Sequence, residues 1–326
     1  MNYKNPYYDV TKKHHTVRGF CNLEPFSINY QDIRKWQKER RIHLPAGGYQ
    51  QFFANWYQDA NFSIPYNAVW WLGHATALIK INNKVILTDP VFSDRVSPIS
   101  FIGPKRHTPC ASSINNLPQV DIIVISHNHY DHLDFRSVKQ LIKRFPLLTI
   151  VVPLGLKKKM QAWGAINVIE LDWWQNACID GVLLSAVPAK HWSRRGLFDI
   201  NKTLWCGWVI EYYQHCIYFV GDTGYSPSFS QVKKYFPDID IALIPIGSYA
   251  PRWFMYNQHL DPAQALQLFH DIGCKRALAI HWGAFELADD PLDEPPILLK
   301  QLLPEYNVAE DEFLVLKIGD YTKMSN

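Results

Sequence analysis

The chain has 326 residues, of which 48% are hydrophobic, enough for a large buried core in one long domain or two average ones. Its 33 basic and 30 acidic residues leave a formal charge of +3, without the clustered basic excess that marks a nucleic-acid binder. The longest apolar stretch, from about Leu147 to Leu156, is broken by Thr149, Pro153 and Gly155 and falls far short of the ~20 residues that cross a bilayer.

Residues 1–65 are polar and irregular, and MNYKNPYYDVTKKHH lacks the apolar core of a secretory signal. QDIRKWQKERR (31–41) predicts a helix ended by Pro45 and the pair Gly47-Gly48. The whole stretch is expected to be an extension packed on a main domain of residues 66–326. Short β-rich runs follow: AVWWLG (68–73), TALIKI (76–81) and KVILTD (84–89), the last two joined through Asn82-Asn83, a pair that tolerates positive φ. VDIIVIS (120–126) is apolar throughout and predicts a strand buried on both faces. FRSVKQLIKRF (135–145) has helical spacing at Val138, Leu141 and Ile142. LTIVVP (148–153), NVIEL (167–171), GVLLSAVP (181–188), TLWCGWVIEY (203–212) and CIYFVGD (216–222) predict strands, with a hairpin at Tyr213-Gln214-His215. IDIALIPIG (239–247) is a second fully apolar strand, and RALAIHWG (276–283) is another. Between them a helix begins at Asp261, with Pro262 in its first position and Gly273 just past its end. Strands outnumber helices, and helices follow some of the strands. That order suits an α/β protein of two packed sheets with helices outside.

The cysteines, Cys21, Cys110, Cys178, Cys206, Cys216 and Cys274, form no CxxC pair. They read as reduced thiols of a cytoplasmic protein, with one disulfide open to Cys206 and Cys216 across the hairpin. Twelve Trp, 17 Tyr and 17 Phe suit an aromatic core and also an interface.

The chemistry concentrates after the buried strand. His127-Asn128-His129-Tyr130-Asp131-His132 reads HxHxDH. Side chains two apart share a face in extended chain, so His127 and His129 aim together. Asp131 and His132, expected at the start of the next helix, are adjacent and diverge toward a second metal. Imidazole and carboxylate are suitable zinc ligands. A lone histidine is usually a hydrogen-bonded core or surface residue, but that account must here cover three histidines and an aspartate within six positions at a strand end. His191, Asp222 and His281 each end a further strand, where layered α/β sheets place their chemistry.

HxHxDH, a later histidine, the aspartate of GDTG and a final histidine resemble the metallo-β-lactamase superfamily. Asp89 in LTDP resembles the acidic residue that supports its ligands. The segments WLGHAT (71–76), LTDPVFSDRVSPISFIGPKR (87–106), ISHNHYDHLD (125–134), VIELDWW (168–174), GDTGYSP (221–227), PIGSYAPRWFM (245–255), QHLDP (258–262) and AIHWG (279–283) are similar to the N-acylphosphatidylethanolamine-hydrolysing phospholipases D. The resemblance runs from about Val69 to Gly319 and is only vague before Pro65. It implies an αβ/βα four-layer sandwich with two central sheets. It implies two zinc ions: one on His127, His129 and His191, the other on Asp131, His132 and His281, with Asp222 bridging. It also implies hydrolysis of N-acylphosphatidylethanolamine to an N-acylethanolamine and phosphatidic acid by a metal-bridging hydroxide. No GxSxG or HKD-type motif supports a covalent route.

Three neighbours of the motif have open roles. His259 is either the donor to the leaving group, binding the lipid head group with Gln258, or a loop residue capping the helix from Asp261. Tyr130 either donates to a phosphate oxygen or packs beneath the metal loop. His74 in GHAT is expected to support the site. A lipid substrate requires a peripheral membrane contact, for which VSPISFIGPKR (96–106) and APRWFMY (250–256) combine apolar and basic residues. Alternatively, these loops fold back on the core, or a second copy of the chain covers one in a homodimer. The competing functions are hydrolysis of another ester, lactone or phosphodiester by the same metals, and a non-catalytic metal-bound scaffold at a membrane. A missing ligand would favour the scaffold, and the set is complete.

Overall fold

The structure is a computed structural model that describes residues 4–26, 29–99 and 101–324. Ser100, within the loop expected to meet a membrane, lies outside the described residues.

A small hairpin of β1 (His15–Thr16) and β2 (Gly19–Phe20) opens the described chain. Helix α1 (Tyr30–Glu39) is started by the Asn29 side chain, which accepts from the Gln31 N–H, and ends at Arg40, close to the expected boundaries. A second helix, α2 (Gly48–Trp56), was not expected from the sequence. The glycine pair read there as a helix stop instead starts one, with Gly47 in the left-handed region at φ 74° and Phe52 turned into the core.

Next come β3 (Ala68–Gly73), β4 (Thr76–Ile81) and β5 (Lys84–Thr88), antiparallel neighbours in that order. Strand β6 (Ile122–Val124) then pairs parallel to β5. Helix α3 (Phe135–Arg144) is capped by Asp134, whose carboxylate accepts from the Arg136 and Ser137 N–H groups. Asp131 and His132 therefore precede the helix and do not begin it; they sit in a turn closed by the His132 and Leu133 N–H groups on the His129 carbonyl. Strands β7 (Thr149–Pro153) and β8 (Asn167–Leu171), separated by the short helix α4 (Lys157–Ala162), extend the parallel half.

The second sheet repeats this plan. Strands β9 (Asn176–Ile179), β10 (Val182–Val187), β11 (Gly207–Tyr212) and β12 (His215–Phe219) are antiparallel neighbours. Helix α5 (Phe229–Tyr235) leads to β13 (Ile241–Pro245), and α6 (Arg252–Met255) and α7 (Pro262–Ile272) lead to β14 (Arg276–Ile280). Helix α8 (Glu294–Leu302) and β15 (Phe313–Leu314) follow, and all three of these connections join parallel strands. The chain closes with β16 (Tyr321–Lys323), which returns to the first sheet beside β3. The sheet orders are β16-β3-β4-β5-β6-β7-β8 and β15-β14-β13-β12-β11-β10-β9.

Strands β3, β6 and β13 are buried along their whole length. Each sheet is therefore covered on both faces, by the other sheet within and by helices and loops outside. Trp70, Trp71, Trp205 and Trp208 are fully buried. Trp208 ties the sheets directly, its indole N–H donating to the Ile125 carbonyl at 2.9 Å. The expected strand 203–212 is shorter because residues 203–206 cross between the sheets, with the Leu204 and Cys206 N–H groups bonded to the Leu154 and Ser126 carbonyls. Cys206 thus lies ahead of β11, and Cys216 faces Glu211 across the hairpin, so the disulfide does not form; all six thiols are free. Among the described residues no helix is long and apolar enough to cross a membrane.

Candidate metal centre

The loops after β5, β6, β10, β12 and β14 meet between the sheets and carry Asp89, the HxHxDH segment, His191, Asp222 and His281. Among them His127, His132, His191, Asp222 and His281 are buried, and Asp131 and His129 are half-buried. Two groups of inward-facing donor atoms result. In the first, His129 Nδ1 lies 2.8 Å from His127 Nε2 and 3.3 Å from His191 Nε2. In the second, His132 Nε2 lies 3.2 Å from both Asp131 Oδ2 and His281 Nε2, and His281 Nε2 is 3.6 Å from Asp131 Oδ2. Asp222 stands between them. Its Oδ2 is 3.1 Å from His132 Nε2, 3.8 Å from His191 Nε2 and 4.0 Å from His127 Nε2. Its Oδ1 is 3.0 Å from His281 Nε2 but off the hydrogen-bond direction, which leaves that oxygen without a hydrogen-bond partner.

The outer nitrogens account for this orientation. His132 Nδ1 lies 2.7 Å from Asp89 Oδ2, and His191 Nδ1 lies 3.0 Å from the Gln258 carbonyl oxygen. His127 Nδ1 lies 2.9 Å from Ser126 Oγ, whose own proton goes to Asp89 Oδ2 at 2.5 Å. With those positions protonated, the inner nitrogens carry lone pairs that face one another. That arrangement costs free energy unless a proton or a metal cation lies between them. A buried carboxylate shared by both groups and inward-facing imidazole nitrogens within reach of it are a donor set that fits metal cations, zinc among them.

The electrostatics agree. Burial holds His127 well below its ordinary value, and pushes His129 down to about 4 and His191 to about 3. These three are neutral, the form that binds metal. For His132 and His281 burial also opposes the charge, but the Asp222 and Asp131 carboxylates outweigh it and raise His281 to about 9 and His132 well above the usual range. Asp131 and Asp222 are held well below the ordinary carboxylate range, burial being overcome chiefly by His132. Two protons thus supply, beside Asp131 and Asp222, positive charge that a metal would replace.

Around this centre, His74 Nε2 lies 2.9 Å from Asp131 Oδ2, and the His74 carbonyl accepts from the His281 N–H at 2.9 Å. His281 takes a left-handed φ of 63°, and this bond holds it there. His259 Nδ1 is buried without a hydrogen-bond partner, 3.8 Å from Asp222 Oδ2. Burial keeps His259 neutral, down to about 3. Helix α7 is capped by Asp261, accepting from the Gln264 N–H, so His259 is not the cap. Tyr130 donates its hydroxyl proton to the Arg195 carbonyl at 3.0 Å, and the Arg195 guanidinium stacks 3.9 Å above its ring. Of the two roles open to Tyr130, this contact engages the proton within the protein and leaves none for a phosphate in this arrangement. The Gln258 side-chain amide is engaged as well, accepting from the Trp192 indole at 2.7 Å and donating to Met255 Sδ at 3.3 Å, while the main-chain carbonyl of Gln258 orients His191.

The centre opens into a cavity of about 400 Å³. His129, Asp131, His191, Asp222 and His259 form its reactive floor, with Tyr130 and Gln258 beside them. Its walls are largely apolar: Val96, Trp253 and Phe254 from the later chain, and Phe26, Ile33 and Trp36 from the N-terminal segment. Trp36 stacks on Phe254 at 5.3 Å and donates to Asp289 Oδ1 at 3.0 Å. Sequence reasoning missed this wall. The available signal was the i, i+3 pair Ile33 and Trp36 on an otherwise charged helix.

Comparison with known proteins agrees with this geometry. Residues 84–282 match the β-lactamase superfamily domain. The N-acyl-phosphatidylethanolamine-hydrolyzing phospholipase D 1 of Caenorhabditis elegans is 36% identical over 268 residues, 78% of this chain and 75% of that protein. The mitochondrial enzyme of the same name from Saccharomyces cerevisiae is 37% identical over 257 residues, 76% of this chain but 54% of that longer protein. A metallo hydrolase of Ignicoccus hospitalis shares the fold, with a TM-score of 0.61 at 19% identity over 80% of this chain and 99% of that one. An isothiocyanate hydrolase from Delia radicum gut bacteria superimposes with a TM-score of 0.64 at 17% identity, over 79% and 99% of the two chains. On the superfamily match and the identity to the nematode protein, the chain belongs to the β-lactamase superfamily of metal-dependent hydrolases and, within it, to the family of N-acylphosphatidylethanolamine-hydrolysing phospholipases D.

Proposed function

We propose that this protein is a two-zinc phosphodiesterase that hydrolyses N-acylphosphatidylethanolamine to an N-acylethanolamine and phosphatidic acid. The observation that carries the reading is a complete metal-binding set at the floor of a cavity with apolar walls. The activity for which the relatives are named supplies the substrate class. His127, His129 and His191 would hold one zinc ion, Asp131, His132 and His281 the other, and Asp222 would touch both. Zinc so bound lowers the pKa of water toward neutrality and polarises a phosphoryl oxygen.

The protein's own groups supply the rest. Asp89 and the Gln258 carbonyl keep His132 and His191 with their lone pairs inward. His74 fixes Asp131 from outside. His259, neutral and buried without a hydrogen-bond partner for Nδ1, lies beside Asp222, where it would donate to a substrate phosphate or to the leaving oxygen. Phe26, Ile33, Trp36, Trp253 and Phe254 exclude water and accept acyl chain.

The lipid would be taken from a membrane surface by the exposed rim. Ile99, Phe101 and Ile102 are exposed as the first expected loop requires, and Trp253 is half-exposed in the second. Leu197 and Phe198, 73% and 84% exposed, add a third apolar tip that the sequence did not single out. Leu197 and Pro98 line one shallow pocket together with Arg194 and Arg195, which joins the first and third tips beside basic side chains.

The test is a purified, zinc-loaded protein incubated with a panel of N-acylated phospholipids, other phospholipids, lactones and soluble phosphodiesters, with products read by mass spectrometry. Release of N-acylethanolamine and phosphatidic acid is expected. Turnover of soluble esters or lactones in preference to every lipid would replace this reading with another hydrolase of the same fold.

A further inference from the structure

One contact ties the N-terminal segment to the metal-facing set. Asn22 lies between β2 and α1. Its Nδ2 donates to the His191 carbonyl at 2.8 Å, and its Oδ1 accepts from the His191 main-chain N–H at 3.1 Å. Among the described residues, Asn22 is thus the hydrogen-bond partner of both main-chain polar groups of His191. One side chain here makes the pair of bonds that a neighbouring strand would otherwise make. The same Oδ1 accepts from Trp205 Nε1 at 3.2 Å, which fixes which end of the amide is which. Two residues further on, Glu24 accepts from Ser226 Oγ in the loop after Asp222. His191 follows the end of β10 and the bridge of Lys190 to Gly224, the last strand-like pairing before it.

We infer that Asn22 is a positioning residue for the three-histidine half of the centre, and that docking of the N-terminal segment and metal occupancy of that half support one another. The inference rests on the two-metal reading above. The His191 imidazole is aimed by two anchors: Nδ1 on the Gln258 carbonyl, and the main chain on Asn22. With the second anchor removed, His191 loses both of its own main-chain bonds between the held neighbours Lys190 and Ser193, and a local shift carries Nε2 off the point it shares with His127 and His129. Groups that orient metal ligands typically change metal affinity by about 10–100-fold. Coupling of this kind is reciprocal: if the docked segment favours the ion, the ion favours the docked segment by the same factor.

The test uses the full chain as wild type, Asn22→Ala, Asn22→Asp and, as a control, His14→Gln. The control weakens a different tie of the same segment, replacing the imidazole in the 2.7 Å bond from His14 to Asp172 by a neutral amide. Zinc release is followed by transfer to a chromogenic chelator, and cleavage of the N-terminal segment by limited proteolysis with and without zinc. Asn22→Ala is expected to release one of two ions about tenfold faster and the other at the wild-type rate. Asn22→Asp keeps the acceptor oxygen, loses the donor and falls between; it also carries the test if the alanine variant does not fold. His14→Gln is expected to release both ions at wild-type rates. Zinc is expected to slow cleavage near Asn22 in the wild type and not in Asn22→Ala. Wild-type release from both Asn22 variants overturns the inference, as does equal acceleration by His14→Gln, which would make the effect a general loosening. A wild type that holds a single ion refutes the two-metal reading instead, and the role of Asn22 is then decided by whether its loss speeds release of that ion.

Discussion

Replacing Asp89 by Asn tests whether the centre depends on carboxylate support behind its ligands. Asp89 is fully buried and accepts from the Ser126 N–H at 2.7 Å and from Ser126 Oγ at 2.5 Å, with His132 Nδ1 at 2.7 Å. Its backbone lies at φ 32°, a region that Asn tolerates as well as Asp, so the exchange adds little main-chain strain. What changes is the donor count. An amide can accept at one end only, so its NH₂ faces either the Ser126 N–H, in the place of Oδ1, or Ser126 Oγ and His132 Nδ1 together, in the place of Oδ2. If it faces His132, the ring must present a lone pair at Nδ1 and carry its proton on Nε2, the atom aimed at Asp131, His281 and Asp222. A protonated Nε2 cannot bind metal. Loss of such support typically lowers metal affinity by about 10–100-fold, equivalent to roughly 1.4–2.7 kcal/mol. The assay is zinc per chain after dialysis against graded chelator, with thermal unfolding in excess zinc as the fold control. Asn at this position is expected to lose the ion of the Asp131, His132 and His281 group first while the other stays bound. Unchanged affinity of both ions in a folded Asp89→Asn protein would refute the claim that this carboxylate sets the His132 tautomer.

Asp222→Asn is expected to cost more turnover than His259→Ala, because Asp222 faces both donor groups whereas His259 lies near only one edge of it; near-normal turnover in a folded Asp222→Asn protein would contradict the two-metal assignment. Replacing Phe101, Leu197 and Phe198 together by Ser is expected to weaken vesicle binding, each side chain contributing up to about 1.5–3 kcal/mol if fully inserted, and to spare a soluble substrate and the metal content; sedimentation with vesicles reads this, and parallel loss on both substrates would assign these residues to the protein's own packing. The N-terminal segment is expected to detach as the pH falls. Burial lowers the pKa of His15 from its ordinary 6.5, so the free segment takes the proton first and docking weakens below that pH. Burial raises the pKa of Asp172, but hydrogen bonds from His14 and Lys12 outweigh it and hold the carboxyl well below 3.8, so its contribution is present above 3.8 and is lost below it. Hydrogen exchange of residues 5–20, corrected for its intrinsic pH dependence, is the measurement, and protection that stays flat from about pH 7.5 to 3 would contradict both signs.

The reactive half of this protein is local in character and was legible in its residues. A strand buried on both faces must be apolar, so VDIIVIS announced itself, and imidazoles and a carboxylate crowded at its end point to a bound cation. The same holds for His191, Asp222 and His281, each just beyond an apolar run. Helix α2 was hidden because a glycine pair punctuates either end of a helix, and only the packing of Phe52 decides which. The unformed Cys206–Cys216 bridge depended on register, which hairpin length alone left open. Whether the Tyr130 proton and the Gln258 side-chain oxygen are free for a substrate was beyond any motif, since Arg195 and Trp192, which engage them, lie in a loop about 65 residues away from each. The N-terminal segment shows the division most clearly. Its sequence is polar and without a strong pattern, because it builds no core of its own. Asn22, Ile33 and Trp36 gain their meaning only from the surfaces they meet: the bare main chain of His191 and the open side of the cavity. Such pairings join residues more than 160 positions apart, and a chain records them only in the tertiary structure, where hydrogen-bond geometry and burial select the partner.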